Sequence, residues 1–292
     1  MSVRVDAHQH LWHYDAEEFS WIDEEHRDIR RDFLTRDLQA AMSSARVNGS
    51  VAIQARQSIE ETEWLIDVAR TFPGIYGVVG WLPLLSDALD EHLEHFSAEP
   101  LLKGLRHVVQ SEPDGFLERT DFNAGIERLR GTDLTYDLLI VERQLPEAVR
   151  FVDRHPQQMF VLDHIAKPRI ATGEIEPWRK HLRALAERPN VICKLSGMTT
   201  EAGVRQWTSD QLKPYVDVVL DAFGAERIMI GSDWPVLLAG CQYAQWWGIV
   251  EGWVAELSSG ERASILGQTA QRIYHLQTSA PERNLNKEGG LA

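Results

Sequence analysis

Eight short apolar runs alternate with stretches of helical period between residues 3 and 276. Alternation sustained that long points to a parallel sheet sheathed in helices. The runs fall at residues 3–10, 51–55, 76–82, 103–109, 134–141, 159–164, 191–196 and 227–233. Capping boxes, Ser58 with Glu61 and Thr208 with Gln211, open two of the intervening helices, and Ser86 and Asp121 are the expected caps of two more. Asn48-Gly49, Pro73-Gly74 and Gly224 supply the stops.

The helix-to-strand turns are short, whereas the segments after runs one, four, six, seven and eight are long. That asymmetry fits a closed (β/α)8 TIM barrel of the α/β class, whose long loops gather at the C-terminal ends of the strands, where active sites sit. A doubly wound open sheet is the fallback, but no Gly-x-Gly-x-x-Gly follows the first run. One barrel domain is expected over residues 1–277, with a long aromatic-bearing loop at 11–34 reading as a lid. Residues 278–292 are polar, lack apolar periodicity and read as a tail dispensable for chemistry.

The net charge of −14 and the lack of any Lys/Arg run longer than Arg30-Arg31 argue against a nucleic-acid partner. Two cysteines, Cys193 and Cys241, make a disulfide framework improbable and a reducing cytoplasm the natural compartment. No basic-then-apolar leader is expected, and no stretch approaches the ~18 apolar residues that span a bilayer. Oligomeric state leaves no mark that can be read.

Chemistry concentrates first at Asp6-Ala7-His8-Gln9-His10. If Val3, Val5 and Ala7 line one face of a strand, Asp6, His8 and His10 line the other, with the imidazoles about 7 Å apart along the chain. Barrel closure sets the end of run eight beside run one, bringing Asp233 to His8 and His10, and His164 ends run six two strands away. One strand-end histidine is ordinarily just a hydrogen-bonded residue. Three with an aspartate, drawn from strands far apart in sequence, look like a catalytic constellation.

Arg106 and His107 are adjacent on run four, so only one of them faces the mouth in regular geometry. Lys194 and Ser196 share a face, and a lysine in an apolar strand is costly unless paired or functional. Gln54 ends run two as a candidate hydroxyl partner, and Trp12 and Trp234 offer aromatic faces suited to a sugar ring. Each of these also has a structural reading, as a hydrogen-bonded or core residue.

The segments Asp6-Ala7-His8-Gln9-His10-Leu11-Trp12, Lys103-Gly104-Leu105-Arg106-His107, Leu162-Asp163-His164-Ile165-Ala166-Lys167-Pro168, Cys193-Lys194-Leu195-Ser196-Gly197 and Gly231-Ser232-Asp233-Trp234-Pro235 resemble the amidohydrolase superfamily. They are most similar to its sugar-lactonase branch, of the fuconolactonase and rhamnonolactonase type. The resemblance implies hydrolysis of a small sugar-derived lactone, an aldonolactone, to its open-chain acid. In that reading Asp233 is the general base and His8, His10 and His164 complete the site, while Arg106, His107, Lys194, Ser196, Gln54, Trp12 and Trp234 bind substrate.

Run four carries Arg106-His107 where the wider superfamily offers a lysine able to bridge two metals, and run five has no histidine. The resemblance therefore implies at most one divalent ion, zinc or manganese, on His8, His10 and Asp233, with metal-independent catalysis as the other option. Two rival functions stand beside it. One is a lactonase or decarboxylase acting on a dicarboxylate from aromatic degradation, clamped by Arg56, Arg106, Lys167, Arg169 and Lys194. The other is a barrel that binds a sugar or metal without turnover.

Overall fold

A computed structural model of the chain describes residues 3–203 and 207–277. Its strands are β1 (Val5–Gln9), β2 (Gly49–Ile53), β3 (Ile75–Gly80), β4 (Leu102–His107), β5 (Thr135–Leu138), β6 (Phe160–Leu162), β7 (Val191–Leu195) and β8 (Ile228–Ile230). They form one sheet in chain order, and every neighbouring pair is parallel. Gln9 bridges to Trp234, the Asp233 amide donates to the His8 carbonyl at 2.8 Å, and the His10 amide donates to the Trp234 carbonyl at 2.7 Å. Those contacts close the sheet, and the fold is the (β/α)8 barrel expected. The polar tail at 278–292 lies outside the described residues.

The helices are α1 (Thr35–Ser44), α2 (Ile59–Thr71), α3 (Leu89–Phe96), α4 (Thr120–Arg128), α5 (Leu145–Arg154), α6 (Trp178–Ala186), α7 (Met198–Glu201), α8 (Ser209–Phe223), α9 (Tyr243–Trp253), α10 (Ser259–Ala263) and α11 (Thr269–Ile273). Their apolar faces, through residues such as Leu38, Leu65, Phe151, Leu182 and Val219, meet the outward-facing strand residues Ala52, Leu105 and Leu162 in the larger core. A smaller core fills the barrel floor: Val5, Val51, Ile53, Val79, Val161, Ile192 and Met229 pack on Ala270, Ile273, Tyr274 and Leu276, which stopper the N-terminal end. Among the described residues no helix is long and apolar enough to cross a membrane, and both cysteines are buried free thiols.

Local signals needed small corrections. Ser58 caps α2 through the Glu61 amide at 3.0 Å, but the Glu61 carboxylate turns away to accept from the Ala55 and Arg56 amides, holding the loop after β2. Burial raises that carboxyl to about 7, against the two amides and the Arg56 charge. Ser86 accepts from the Ala88 amide just ahead of α3 rather than capping the helix itself. Helix α4 starts one residue before Asp121, whose carboxylate pairs instead with Arg119.

Candidate active site

The first strand does not keep the simple alternation its sequence suggests. Its register against β2 slips between Asp6 and Gln9, and an extra residue in a strand changes which face the following side chains occupy. Val5 and Ala7 join the floor core, yet His8 and His10 also turn into the barrel. Asp6 points the other way. Its carboxylate accepts from the Ser232 amide at 2.8 Å, Ser232 Oγ at 2.6 Å, the His8 amide at 3.1 Å and Tyr243 Oη at 2.9 Å, tying β1 to the segment after β8. Burial raises the Asp6 carboxyl to about 6, with these donors pulling against it. Gly231 permits the approach, since a Cβ there would stand 2.6 Å from the Cβ of His8.

His8 Nε2 lies 3.1 Å from His10 Nε2, and Asp233 Oδ1 lies 3.4 Å from His10 Nε2, 3.7 Å from His8 Nε2 and 4.0 Å from His164 Nε2. The far ring atoms set the orientation. His10 Nδ1 donates to the Ile53 carbonyl at 2.8 Å, which leaves its Nε2 lone pair facing inward. His8 Nδ1 faces Asp163 Oδ1 at 3.3 Å, and His164 Nδ1 meets Ser196 Oγ at 2.9 Å.

His164 and Asp233 do not end strands as expected. Each sits just beyond a shorter strand, with φ of 52° and 59° respectively. Gly197, at φ 67°, backs His164 so closely that a Cβ would stand 2.7 Å from its Nδ1.

Beneath the histidines lies an ionic floor. Arg106 Nη1 donates to Asp163 Oδ2 at 3.0 Å and stands 3.3 Å from His8 Nε2, while its Nη2 donates to the Gln54 carbonyl. Lys194 Nζ pairs with Asp137 and, at 3.0 Å, with Asp163, and lies 3.4 Å from His8 Nδ1. Tyr274 Oη donates to Asp137 from below.

Several sequence assignments change accordingly. Arg106 faces inward, whereas His107 points outward, stacked on Phe116 and bonded to Glu112 and Trp81, so it does not reach the centre. Lys194 is fully buried under His8 rather than placed at the mouth. Gln54 Nε2 donates to the Arg106 carbonyl, so it supports the arginine, and Ser196 supports His164. Trp12 and Trp234 are buried wall residues: Trp12 packs on Phe19 and Phe33, and Phe33 packs on Trp234.

Sequence reasoning misses Asp163 and Asp137. The rule that flagged Lys194, a charge inside an apolar strand, would have found both.

Burial lowers His164 to about 4 despite the pull of Asp233 and Asp163, and it lowers His8 as well, so both imidazoles are neutral at pH 7. Burial works to raise Asp233, but the facing imidazoles of His164, His10 and His8 hold it below the usual carboxylate range. Burial also opposes ionisation of Asp163, where Lys194, His8 and Arg106 prevail and keep it well below its ordinary value. Lys194 and Arg106 thus answer Asp137 and Asp163. The ion-pair partners of Asp233 among the described residues are imidazoles alone.

That surplus carboxylate is the observation that tests for a metal. Two imidazole Nε2 atoms and one carboxylate are a donor set for a borderline divalent ion such as zinc. Ligand atoms ~2.0–2.1 Å from a tetrahedral zinc lie roughly 3.4 Å from each other, and the three separations here are 3.1, 3.4 and 3.7 Å. His8, Asp163 and His164 also cluster, but Asp163 is already neutralised by Lys194 and Arg106. The residues fit one ion.

A family model described as amidohydrolase matches residues 5–276. The chain is 38% identical to an L-fucono-1,5-lactonase of Burkholderia multivorans, covering 97% of this chain and 99% of that protein. It is 34% identical to an L-fucono-1,5-lactonase of Burkholderia ambifaria over the same shares. Its fold superposes with a TM-score of 0.89 on the crystal structure of a Burkholderia multivorans amidohydrolase with bound zinc, at 39% identity, covering 94% of this chain and all of that one.

Proposed function

The chain belongs to the amidohydrolase family, and from that premise we propose that it opens a sugar-derived lactone, the ring ester of an aldonic acid, to the acid. The observation that carries the reading is Asp233, a buried carboxylate kept ionised among three converging imidazoles. The two similar L-fucono-1,5-lactonases support the substrate class.

His8, His10 and Asp233 would hold one divalent ion, and the zinc bound in the Burkholderia multivorans amidohydrolase favours zinc. When bound, the ion supplies Lewis acidity at the ester carbonyl. Asp233 accepts the proton of the attacking water as the new carbon–oxygen bond forms. The Arg106 guanidinium, 3.3 Å from His8 Nε2, would donate towards the developing oxyanion. As the ring ester bond breaks, Asp233 returns its proton to the leaving alkoxide. His164, neutral at pH 7, faces the same Asp233 oxygen as His8 and His10, at 4.0 Å. Above its pKa the product acid releases one proton to solvent.

The dicarboxylate reading loses support because each of its five candidate clamps faces a carboxylate of its own, which leaves no uncompensated positive charge to bind a second substrate carboxylate. Arg106 and Lys194 pair with Asp163 and Asp137, Arg56 with Glu18, Arg169 with Glu142, and Lys167 with Glu201. The deciding measurement is proton release from aldonolactones and dicarboxylate lactones before and after dialysis against chelator. Aldonolactone turnover is expected, lost on dialysis and restored by zinc or manganese. Turnover of dicarboxylate lactones alone would overturn the substrate class. Full activity in metal-free protein would place the oxyanion on Arg106.

A further inference from the structure

His164, Ile165, Ala166 and Lys167 are four successive non-glycine residues in the left-handed region, with φ of 52°, 50°, 61° and 48°. A side chain strains the backbone in this region, and a β-branched residue like Ile165 tolerates it worst. The surroundings hold the turn in place. Ile165 and Ala166 are fully buried, Trp178 Nε1 donates to the Ile165 carbonyl at 2.7 Å, and the Lys167 amide donates to the His164 carbonyl at 2.8 Å. The turn that brings His164 to Asp233 ends on Lys167, whose side chain is partly exposed.

There Lys167 Nζ lies 3.7 Å from Glu201 Oε1, an ion pair slightly too long for a direct hydrogen bond. Glu201 ends α7, the short helix that begins after Gly197, the glycine pressed against the His164 ring. The two side chains are 22% and 27% exposed, whereas His8, His10, Arg106 and Asp233 lie almost wholly buried. Burial raises the Glu201 carboxyl, with Lys167 pulling it down and Asp233 pushing it up, and Lys167 likewise depresses His164. The pair and the catalytic groups thus share one electrostatic neighbourhood, yet the hydrolytic steps leave the pair unused.

We propose that Lys167 and Glu201 read the hydroxyl groups of the substrate ring, the ammonium donating to one hydroxyl oxygen and the carboxylate accepting from a neighbouring hydroxyl. The inference rests on the lactone reading. A sugar hydroxyl both donates and accepts, so a partly opened lysine–glutamate pair matches a vicinal diol while leaving no net charge on the rim. A site built to bond a hydroxyl discriminates against the analogue lacking it, and a bond to a charged group corresponds to about 10- to 100-fold.

The test compares Lys167→Met, Glu201→Gln and the charge-keeping Lys167→Arg with wild type, on a hydroxylated aldonolactone and on an unsubstituted lactone of the same ring size. Thermal melts confirm that each variant is folded. Lys167→Met and Glu201→Gln should lose about 10- to 100-fold in kcat/KM on the hydroxylated lactone, chiefly through KM. Their loss on the unsubstituted ring should be much smaller, and Lys167→Arg should recover part of the preference. Equal losses on both lactones would overturn the proposal and leave a structural ion pair. Wild type turning over dicarboxylate lactones but neither of these would overturn the lactone reading and this inference with it. Hydrolysis of both rings by wild type without preference would overturn the inference alone.

Discussion

Asp233 stands at a depth where an unpaired carboxylate is expensive to keep ionised, yet the imidazoles around it hold it below the ordinary range. Asp233→Asn retains the shape and removes the proton acceptor, so kcat should fall about 10²- to 10⁴-fold when assayed at saturating zinc. Near-normal turnover under those conditions would take Asp233 out of the mechanism. The pH profile follows from the same neighbours. With Asp233 held low and His164 lowered to about 4, both are already in their working forms near pH 6. kcat/KM should therefore be level from about pH 6 to 8 and decline as acid approaches about pH 4, where His164 gains its proton. An acid limb centred near pH 6.5, the ordinary histidine value, would contradict that burial. The histidines and Asp233 were legible from motif and barrel order. Asp163 and Asp137 were passed over because an acid beside a histidine or a tyrosine looks like punctuation until its strand is known to be buried.

Elements carry information that a hydrophobic pattern cannot. The slip in β1 left no sign in the sequence, because Asp6, His8 and His10 keep a period of two whether or not the register against β2 shifts beneath them. The left-handed turn at His164 was hidden for a different reason: Asp-His-Ile-Ala-Lys contains no glycine or asparagine to announce positive φ. The long loop at 11–34 was visible as a loop, but its internal order was not. Trp12 and Phe33 exchange both backbone hydrogen bonds at 3.0 Å, pinching its base, and Phe19, Ile22 and Ile29 are buried within it. Glu18 pins the loop to Arg56, which follows β2. An exposed pair of this kind is worth about 0.2–1 kcal/mol, so Glu18→Ala should raise KM a few-fold with kcat and melting temperature nearly unchanged. Identical KM and lactone preference would reduce the loop to a structural flap.

At the scale of the whole molecule, the two ends of the barrel are joined through its interior. From the stopper, Tyr274 reaches Asp137, which holds Lys194, which holds Asp163, which faces His8 and Arg106. Tyr274→Phe keeps the ring and deletes one donor to a buried carboxylate, a loss of about 1–3 kcal/mol. It should appear as a lower melting temperature; an unshifted melt would show that Lys194 and Thr135 satisfy Asp137 without the tyrosine. The eight-strand alternation made this architecture readable. The chain of ions did not show, since its members are spread from His8 to Tyr274. That spread sets an order in time. A ribosome adding about 5–20 residues per second makes His8 and His10 at the outset, and Asp233 and Tyr274 only tens of seconds later. Until then β1 has no β8 to lie against, so the first functional residues synthesised are the last to acquire their neighbours, and a transcript truncated upstream of Tyr274 yields histidines without a finished barrel around them.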